Sequence, residues 1–335
     1  MARLKDIAER TGLSVNTVSL ALRDSPRIPQ DTRDKIRLAA AALDYTPNYS
    51  ARALVSRQTK TIGLLLTDIT SPLLTQVARS VEQELKDLGY VTLLAASNGD
   101  PEEELRALAT FRARQVDGML VYPHDHSRLD HLRRLRVAGT PMVLLAGDGE
   151  GDVDVICLDE QAGALRATQH LLGAGHRRIG LIDGAYLRGN PAKAEGYEMA
   201  LRTIGIEPSP ELVINPEGDS VGHGHAAFAK LMALSEPPTA VLTANDRLAL
   251  GGLRWCQENG VAVPRDVAVF GFDNIEYAEY ASVPLSSVDY PAVDLARQAV
   301  ARLITLIRNR DQAPPPELIR IQPELVLRES TGRHP

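Results

Sequence analysis

At 335 residues the chain is long enough for two or three domains, and 44% hydrophobic with 24% charged residues excludes disorder as its main state. No apolar run approaches membrane-span length, and charges stand in Met1-Ala2-Arg3-Leu4-Lys5-Asp6-Ile7 where a secretory signal needs an apolar core, so no membrane partner and a cytoplasmic location are expected. Two cysteines, Cys157 and Cys256, fit a reducing compartment and exclude a cysteine-built zinc site.

Residues 1–60 hold eleven Lys/Arg against six Asp/Glu, although the whole chain carries −6. A small basic head on a larger acidic body suggests a polyanion-binding module. Leu4, Ile7 and Ala8 recur at helical spacing, Thr11-Gly12-Leu13 interrupts them, and Ser14 can cap a second helix over 15–22 with Val18, Ala21 and Leu22 inward. A third helix is expected over 31–43, with Ile36, Ala40 and Leu43 inward, ending before Pro47. Ser50 to Val55 could form a short helix, and Ser56-Arg57-Gln58-Thr59-Lys60 reads as a polar linker.

From Thr61 onward, apolar runs of strand length alternate with amphipathic helical stretches. Strands are expected at 62–66, 91–94, 116–121, 142–145, 178–182, 212–214, 240–242 and 267–270. Helices fall between them, near 73–88, 101–114, 128–138, 161–173, 192–204, 222–234 and 246–259. Two rounds of such alternation imply an α/β body of two doubly wound lobes, with a ligand cleft at the carboxyl ends of the strands.

Leu4 to Arg23 has the spacing of a helix-turn-helix. Its second helix would turn Val15, Asn16, Ser19 and Leu20 outward. Asn can bond adenine at two atoms, Val and Leu can touch thymine methyls, and Arg23, Arg27 and Arg33 can neutralise phosphates.

The segments Leu4-Lys5-Asp6-Ile7-Ala8, Gly12-Leu13-Ser14-Val15-Asn16-Thr17-Val18-Ser19 and Tyr45-Thr46-Pro47-Asn48 resemble the head of lactose-repressor (LacI/GalR) family transcription regulators. The resemblance continues through Val116-Asp117-Gly118, Gly175-His176-Arg177-Arg178-Ile179-Gly180, Pro237-Pro238-Thr239-Ala240, Asn245-Asp246 and Gly271-Phe272-Asp273-Asn274, and so covers nearly the whole chain. It implies a DNA-binding head over 1–46, a hinge helix and linker over 47–60, and a periplasmic-binding-protein-like effector-binding and dimerisation body over 61–335. The first lobe would take about 61–159 and 291–318, the second about 160–290 and 319–330.

By the same resemblance Val15, Asn16 and Leu20 occupy base-reading positions; Leu20 stands where the family more often has Arg, which removes a bidentate guanine contact. Leu4, Ser14, Thr17, Ser19 and Thr32 complete the DNA-contacting set of the head. Asn48, Ala51, Arg52 and Leu54 belong to the hinge helix, with Leu54 matching a leucine that wedges between central base pairs in the minor groove. The implied partners are a pseudo-palindromic double-stranded operator, a second copy of the chain, and a small effector, expected to be a carbohydrate. No leucine heptad is sustained near the C-terminus, which favours a dimer over a tetramer.

For the effector, the resemblance points to Asp68, Ser71, Leu73, Leu74 and Asp125 on the first lobe. On the second it points to Arg188, Lys193, Asn245 and Asp273, with Tyr290 at a crossover between lobes. Asp246 reads equally as a helix cap. No cofactor or metal is expected. A nucleotide-dependent α/β enzyme is the alternative class, but no Gly-x-Gly-x-x-Gly follows a strand, and neither a phosphate loop nor a Gly-x-Ser-x-Gly elbow occurs. Gly222-His223-Gly224-His225 could contribute to a metal site but has no identifiable carboxylate partner, and is expected at the surface or cleft rim. An exported sugar-binding protein would share the body without the DNA head.

Overall fold

Three helices build the N-terminal unit: α1 (Leu4–Thr11), α2 (Val15–Ala21) and α3 (Gln30–Ala42). The computed structural model describes residues 2–22, 24–45, 58–147, 152–185 and 190–332, and the chain divides into two units, residues 1–59 and 60–335. Gly12 ends α1 at φ 70°, a left-handed conformation that disfavours side chains, so the chain can turn directly into α2. Ser14 caps α2 by accepting the Thr17 amide at 3.1 Å. Ile7, Ala8, Val18, Ala21, Ile36 and Ala40 form the small core, while Leu22 and Leu43, expected inside, are only partly buried against it.

The second unit begins with β1 (Thr61–Leu66), α4 (Pro72–Asp87), β2 (Val91–Ala96), α5 (Pro101–Ala113), β3 (Gly118–Val121), α6 (Asp130–Val137), β4 (Met142–Leu144) and β5 (Asp154–Leu158). A second round follows: α7 (Glu160–Gly173), β6 (Ile179–Ile182), α8 (Ala192–Arg202), β7 (Val213–Ile214), α9 (Val221–Met232), β8 (Ala240–Thr243), α10 (Asp246–Asn259), β9 (Ala268–Asp273), α11 (Glu276–Glu279) and β10 (Ser286–Asp289). Then come α12 (Ala292–Arg308), β11 (Leu318–Ile321) and β12 (Leu325–Val326).

Two six-stranded sheets result, ordered β2-β1-β3-β4-β5-β11 and β7-β6-β8-β9-β10-β12. They share one winding pattern, parallel throughout except that β12 runs antiparallel to β10. Strands such as β1, β3 and β5 are buried almost throughout, as sheets covered on both faces require. The chain crosses between lobes at β5 to α7, β10 to α12, and β11 to β12.

One expected boundary moves. Residues 319–321, assigned to the second lobe from the sequence, pair with β5 in the first sheet, from Leu318 opposite Val155 to Ile321 opposite Leu158. Without β11 the outer edge of β5 would leave a row of backbone groups unpaired. Among the described residues no helix is long and apolar enough to cross a membrane.

Candidate functional site

In the head, Val15 and Asn16 stand exposed on α2, with Ser19 and Leu20 half-buried beside them. Ser14 and Thr17 are tied to each other, hydroxyl to hydroxyl at 2.8 Å, so both also serve the cap. Leu4 packs against the head core instead of standing free. Arg33 donates to the Asp24 carbonyl at 3.2 Å and to Gln30, which holds it along α3, whereas Arg27 is exposed and Thr32 half-buried. Arg23, Asn48, Ala51, Arg52 and Leu54 lie outside the described residues.

A cavity of about 320 Å³ opens between the two lobes of the body, within the range of small-molecule sites. Strand ends and helix starts build its walls, as the doubly wound topology dictates. Asp68, Ser71, Leu73, Leu74, Lys193, Asn245 and Asp273 all line it, and Tyr290 lines an adjoining cavity of about 370 Å³ that shares Tyr122, His126, Glu160 and Asn190. Arg188 lies outside the described residues.

Asp125 does not line either cavity. Its Oδ1 accepts the Ser127 amide at 2.8 Å, the Ser127 hydroxyl at 2.7 Å and the Arg128 amide at 3.1 Å, so the carboxylate closes its own loop. The loop instead offers Tyr122, His124 and His126 to the first cavity, none of which was singled out from the sequence. Asp68 forms the same kind of turn with Thr70, whose amide and hydroxyl both donate to Oδ1 at 2.7 Å. Arg247, in the first turn of α10, reaches Asp68 from the opposite lobe at 3.3 Å. Burial raises the Asp68 pKa, but the Thr70 and Arg247 contacts outweigh it and hold the carboxyl below its usual range.

The floor is an ion pair. Lys193, its side chain 8% exposed, places Nζ 2.6 Å from Glu160 Oε1, and Asn190 donates to Glu160 Oε2 at 2.6 Å. Burial alone would neutralise both partners; each holds the other charged, lowering the Glu160 pKa and raising that of Lys193. Lys193 also stands over the Phe272 ring, 4.6 Å from its centroid. Glu160 escaped sequence reasoning because β5, the strand that delivers it, was not recognised.

Asp273 ends β9 at φ 103° and Asn274 follows at 52°, two successive non-glycine residues in the left-handed region. Burial and the neighbouring Asp246 push the Asp273 pKa well up, against the opposing charge of Lys193. A polar network behind this turn holds it in place. Asn245, not Asp246, caps α10, accepting the Leu248 amide at 2.9 Å. Asp246 is fully buried and binds the next strand's turn, accepting the Ile275 amide at 2.8 Å and the Ser287 hydroxyl at 2.6 Å. Asn274 donates to Asp289 at 2.7 Å and accepts from Arg328 at 2.9 Å. Gly271 is required here, since a Cβ would stand 2.0 Å from Asp246 Oδ1. Burial pushes the Asp246 carboxyl up to about 7.

The Gly-His-Gly-His cluster separates into local roles. Ser220 caps α9 and bonds His223 Nδ1 at 2.6 Å, while His225 pairs with Glu258 at 2.9 Å. Gly224 lets α9 meet α10, because a Cβ there would lie 2.2 Å from the Leu248 carbonyl. No group of three metal-ligating side chains occurs among the described residues.

A helix pair with an exposed recognition face, carried on a two-lobed body with a polar cleft, defines a ligand-responsive DNA-binding regulator. Residues 3–48 match the bacterial regulatory proteins of the lacI family, and residues 168–331 match the periplasmic binding protein-like domain. The chain is 34% identical over 331 residues to the ribose operon repressor of Haemophilus influenzae, covering 98% of each protein. It superposes on the lac repressor dimer bound to operator and the anti-inducer ONPF with a TM-score of 0.87, 25% identity and 99% of each chain covered. A ribose-bound lacI-family regulator from Enterococcus faecium gives a TM-score of 0.72 at 28% identity, over 81% of this chain and 98% of that one. The protein belongs to the lacI family of bacterial DNA-binding transcription regulators.

Proposed function

We propose that the protein is a homodimeric, cytoplasmic repressor, without enzymatic activity, whose effector is a neutral sugar held between the lobes of the body. The observation that carries this reading is the cleft itself. Its floor is an internally neutralised Glu160–Lys193 pair, and Asp273 opens onto it from the second lobe. Hydroxyl groups both donate and accept, so they suit a wall that mixes carboxylates, an ammonium and amides. Leu73 and Leu74, largely buried, supply an apolar edge where an aromatic platform would favour a planar ring. The relatives named above for ribose make that pentose the first ligand to try.

A sugar bridging the lobes favours one lobe angle over another, and operator affinity follows because the two sites are energetically coupled. In the head, Val15, Asn16, Ser19 and Leu20 would read base edges, with Arg27 on the backbone; Arg23 and the hinge residues Asn48, Ala51, Arg52 and Leu54 would complete the contact. Val91 and Leu94 on edge strand β2, 65% and 48% exposed, support pairing of two copies through the first lobe.

The test is selection of duplexes from a random pool by the full-length protein, followed by operator release with D-ribose. A half-site repeated with two-fold symmetry, released by a sugar, is the expected result. Asn16→Ala should relax preference at one base pair per half-site at a cost of about 1–3 kcal/mol. An unchanged selection profile would remove Asn16 from the reading set, and tight binding of a purine with indifference to sugars would replace the effector class.

A further inference from the structure

All strands of the first sheet run parallel, so they begin at one end of the lobe, opposite the cleft. Thr61 pairs with Val91, Ile62 with Gly118, Met119 with Met142, and Val155 with Leu318. The helices that return the chain to these strand starts finish at the same end. Lys86 lies in the last turn of α4, Arg112 in that of α5 and Arg308 in that of α12, all exposed. Arg114 stands just beyond α5, and Lys60 and Arg310 flank the same end, tied to it by the Lys60 amide bonding Asp117 at 3.0 Å and by Arg310 bonding the Asp117 carbonyl at 3.2 Å.

Two of the nearby acids are withdrawn. Asp117 and Asp154 are buried, and Asp154 is held by Arg136 and Arg302. Asp87, Asp152, Asp311 and Glu317 are exposed there, with Glu317 paired to Arg302 at 2.7 Å, against the six exposed cations named above. This basic end contrasts with residues 61–335 as a whole, which carry 37 Asp/Glu against 26 Lys/Arg. Cations at helix C-termini complement the helix dipole, but Arg114, Arg310 and Lys60 lie outside the helices. Lys60 is the first residue of the second unit, so the chain enters that unit at this end.

We propose that the strand-start end of the first lobe is a second, sequence-independent DNA surface that engages the phosphate backbone of the operator duplex. It adds affinity and steers association while the head alone reads sequence. This rests on operator binding by the chain, which the wild-type arm of the experiment measures separately.

The experiment is operator binding by the full-length protein over a series of KCl concentrations. The variant is Lys86→Gln/Arg112→Gln/Arg308→Gln, one cation from each of three helices. The slope of log affinity against log salt should become shallower by about 1–5, since each phosphate contact contributes about 0.9 and a bound dimer loses six cations. Affinity at low salt should fall about tenfold or more, with the ratio of operator to scrambled duplex unchanged. A control with the same loss of charge on the second lobe, Arg202→Gln/Arg254→Gln/Arg265→Gln, should match the wild type. An unchanged slope in the first variant would overturn the proposal and leave these cations as helix-end partners. An equal loss in the control would overturn it too, in favour of net charge alone. Should the triple variant fail to dimerise, Lys86→Gln/Arg308→Gln is read by the same criteria.

Discussion

The two lobes wind alike, yet they end their strands in carboxylates that behave differently. On the first lobe Asp68 and Asp125 each stand two residues before a hydroxyl residue, Thr70 and Ser127, whose amide and hydroxyl both bind the carboxylate. Those acids shape loops. On the second lobe Asp273 is followed by Asn274 and Ile275, which offer no such hydroxyl, and among the described residues nothing donates a hydrogen bond to its carboxylate. Asp183, after β6 on the same lobe, also binds its own loop, accepting the Ala185 amide at 2.8 Å, so the contrast is between Asp273 and the acids whose own turns engage them.

The contrast can be tested from the deepest group outward. Lys193→Met should have the largest effect, because it strands the Glu160 carboxylate in the floor; a loss of about 3–5 kcal/mol in urea unfolding is expected. Adding Glu160→Gln should recover most of that loss, and no recovery would mean that packing, not charge, governs the floor. Asp273→Ala should weaken sugar binding by about 1–3 kcal/mol in titration calorimetry and leave ligand-free operator affinity intact. Asp125→Ala, which releases the loop carrying His124 and His126 but removes no group that faces the ligand, should weaken sugar binding less than Asp273→Ala does. If the two alanine variants behaved alike, the distinction between idle and occupied acids would fail.

Asp246 supplies a pH signature on the second lobe. Its carboxyl titrates at about 7 when folded, against about 3.9 in an unfolded chain, so the folded state holds the proton more tightly. Its contribution is fully present at low pH and is lost as pH rises from about 4 to about 7, with a slope of up to about 1.4 kcal/mol per pH unit. Asp246→Asn keeps the shape without the charge and should flatten that part of the stability profile relative to wild type. Parallel profiles in both proteins would show that Asp246 does not titrate there.

Periodicity made the winding legible because strands such as Ile62–Leu66 are continuously apolar and the helices between them amphipathic. β10 was not legible. Its Ser286 and Ser287 look like a loop, yet both are fully buried, satisfied by Thr331 and Arg328 in one case and by Asp246 in the other. β5 opens on Asp154, a charge that reads as a turn until Arg136 and Arg302 arrive from distant helices. Missing β5 hid Glu160, and with it the floor of the cleft. Asp273, by contrast, follows a plain apolar strand and was accessible to the strand-end rule, while its strain and the network behind it depend on residues 41 and 54 positions away from their partners.

The Asp68–Arg247 bridge spans the mouth of the cleft with both side chains partly in solvent, 32% and 22% exposed. A pair in that setting contributes at most about 1 kcal/mol. That biases the ratio of closed to open cleft by no more than about fivefold, whereas a near-complete switch in population requires a difference of about 5.5 kcal/mol between the two states. The bridge therefore sets a resting bias that dissolved salt can erode, and it leaves the decision between the two states to the molecule that fills the cleft.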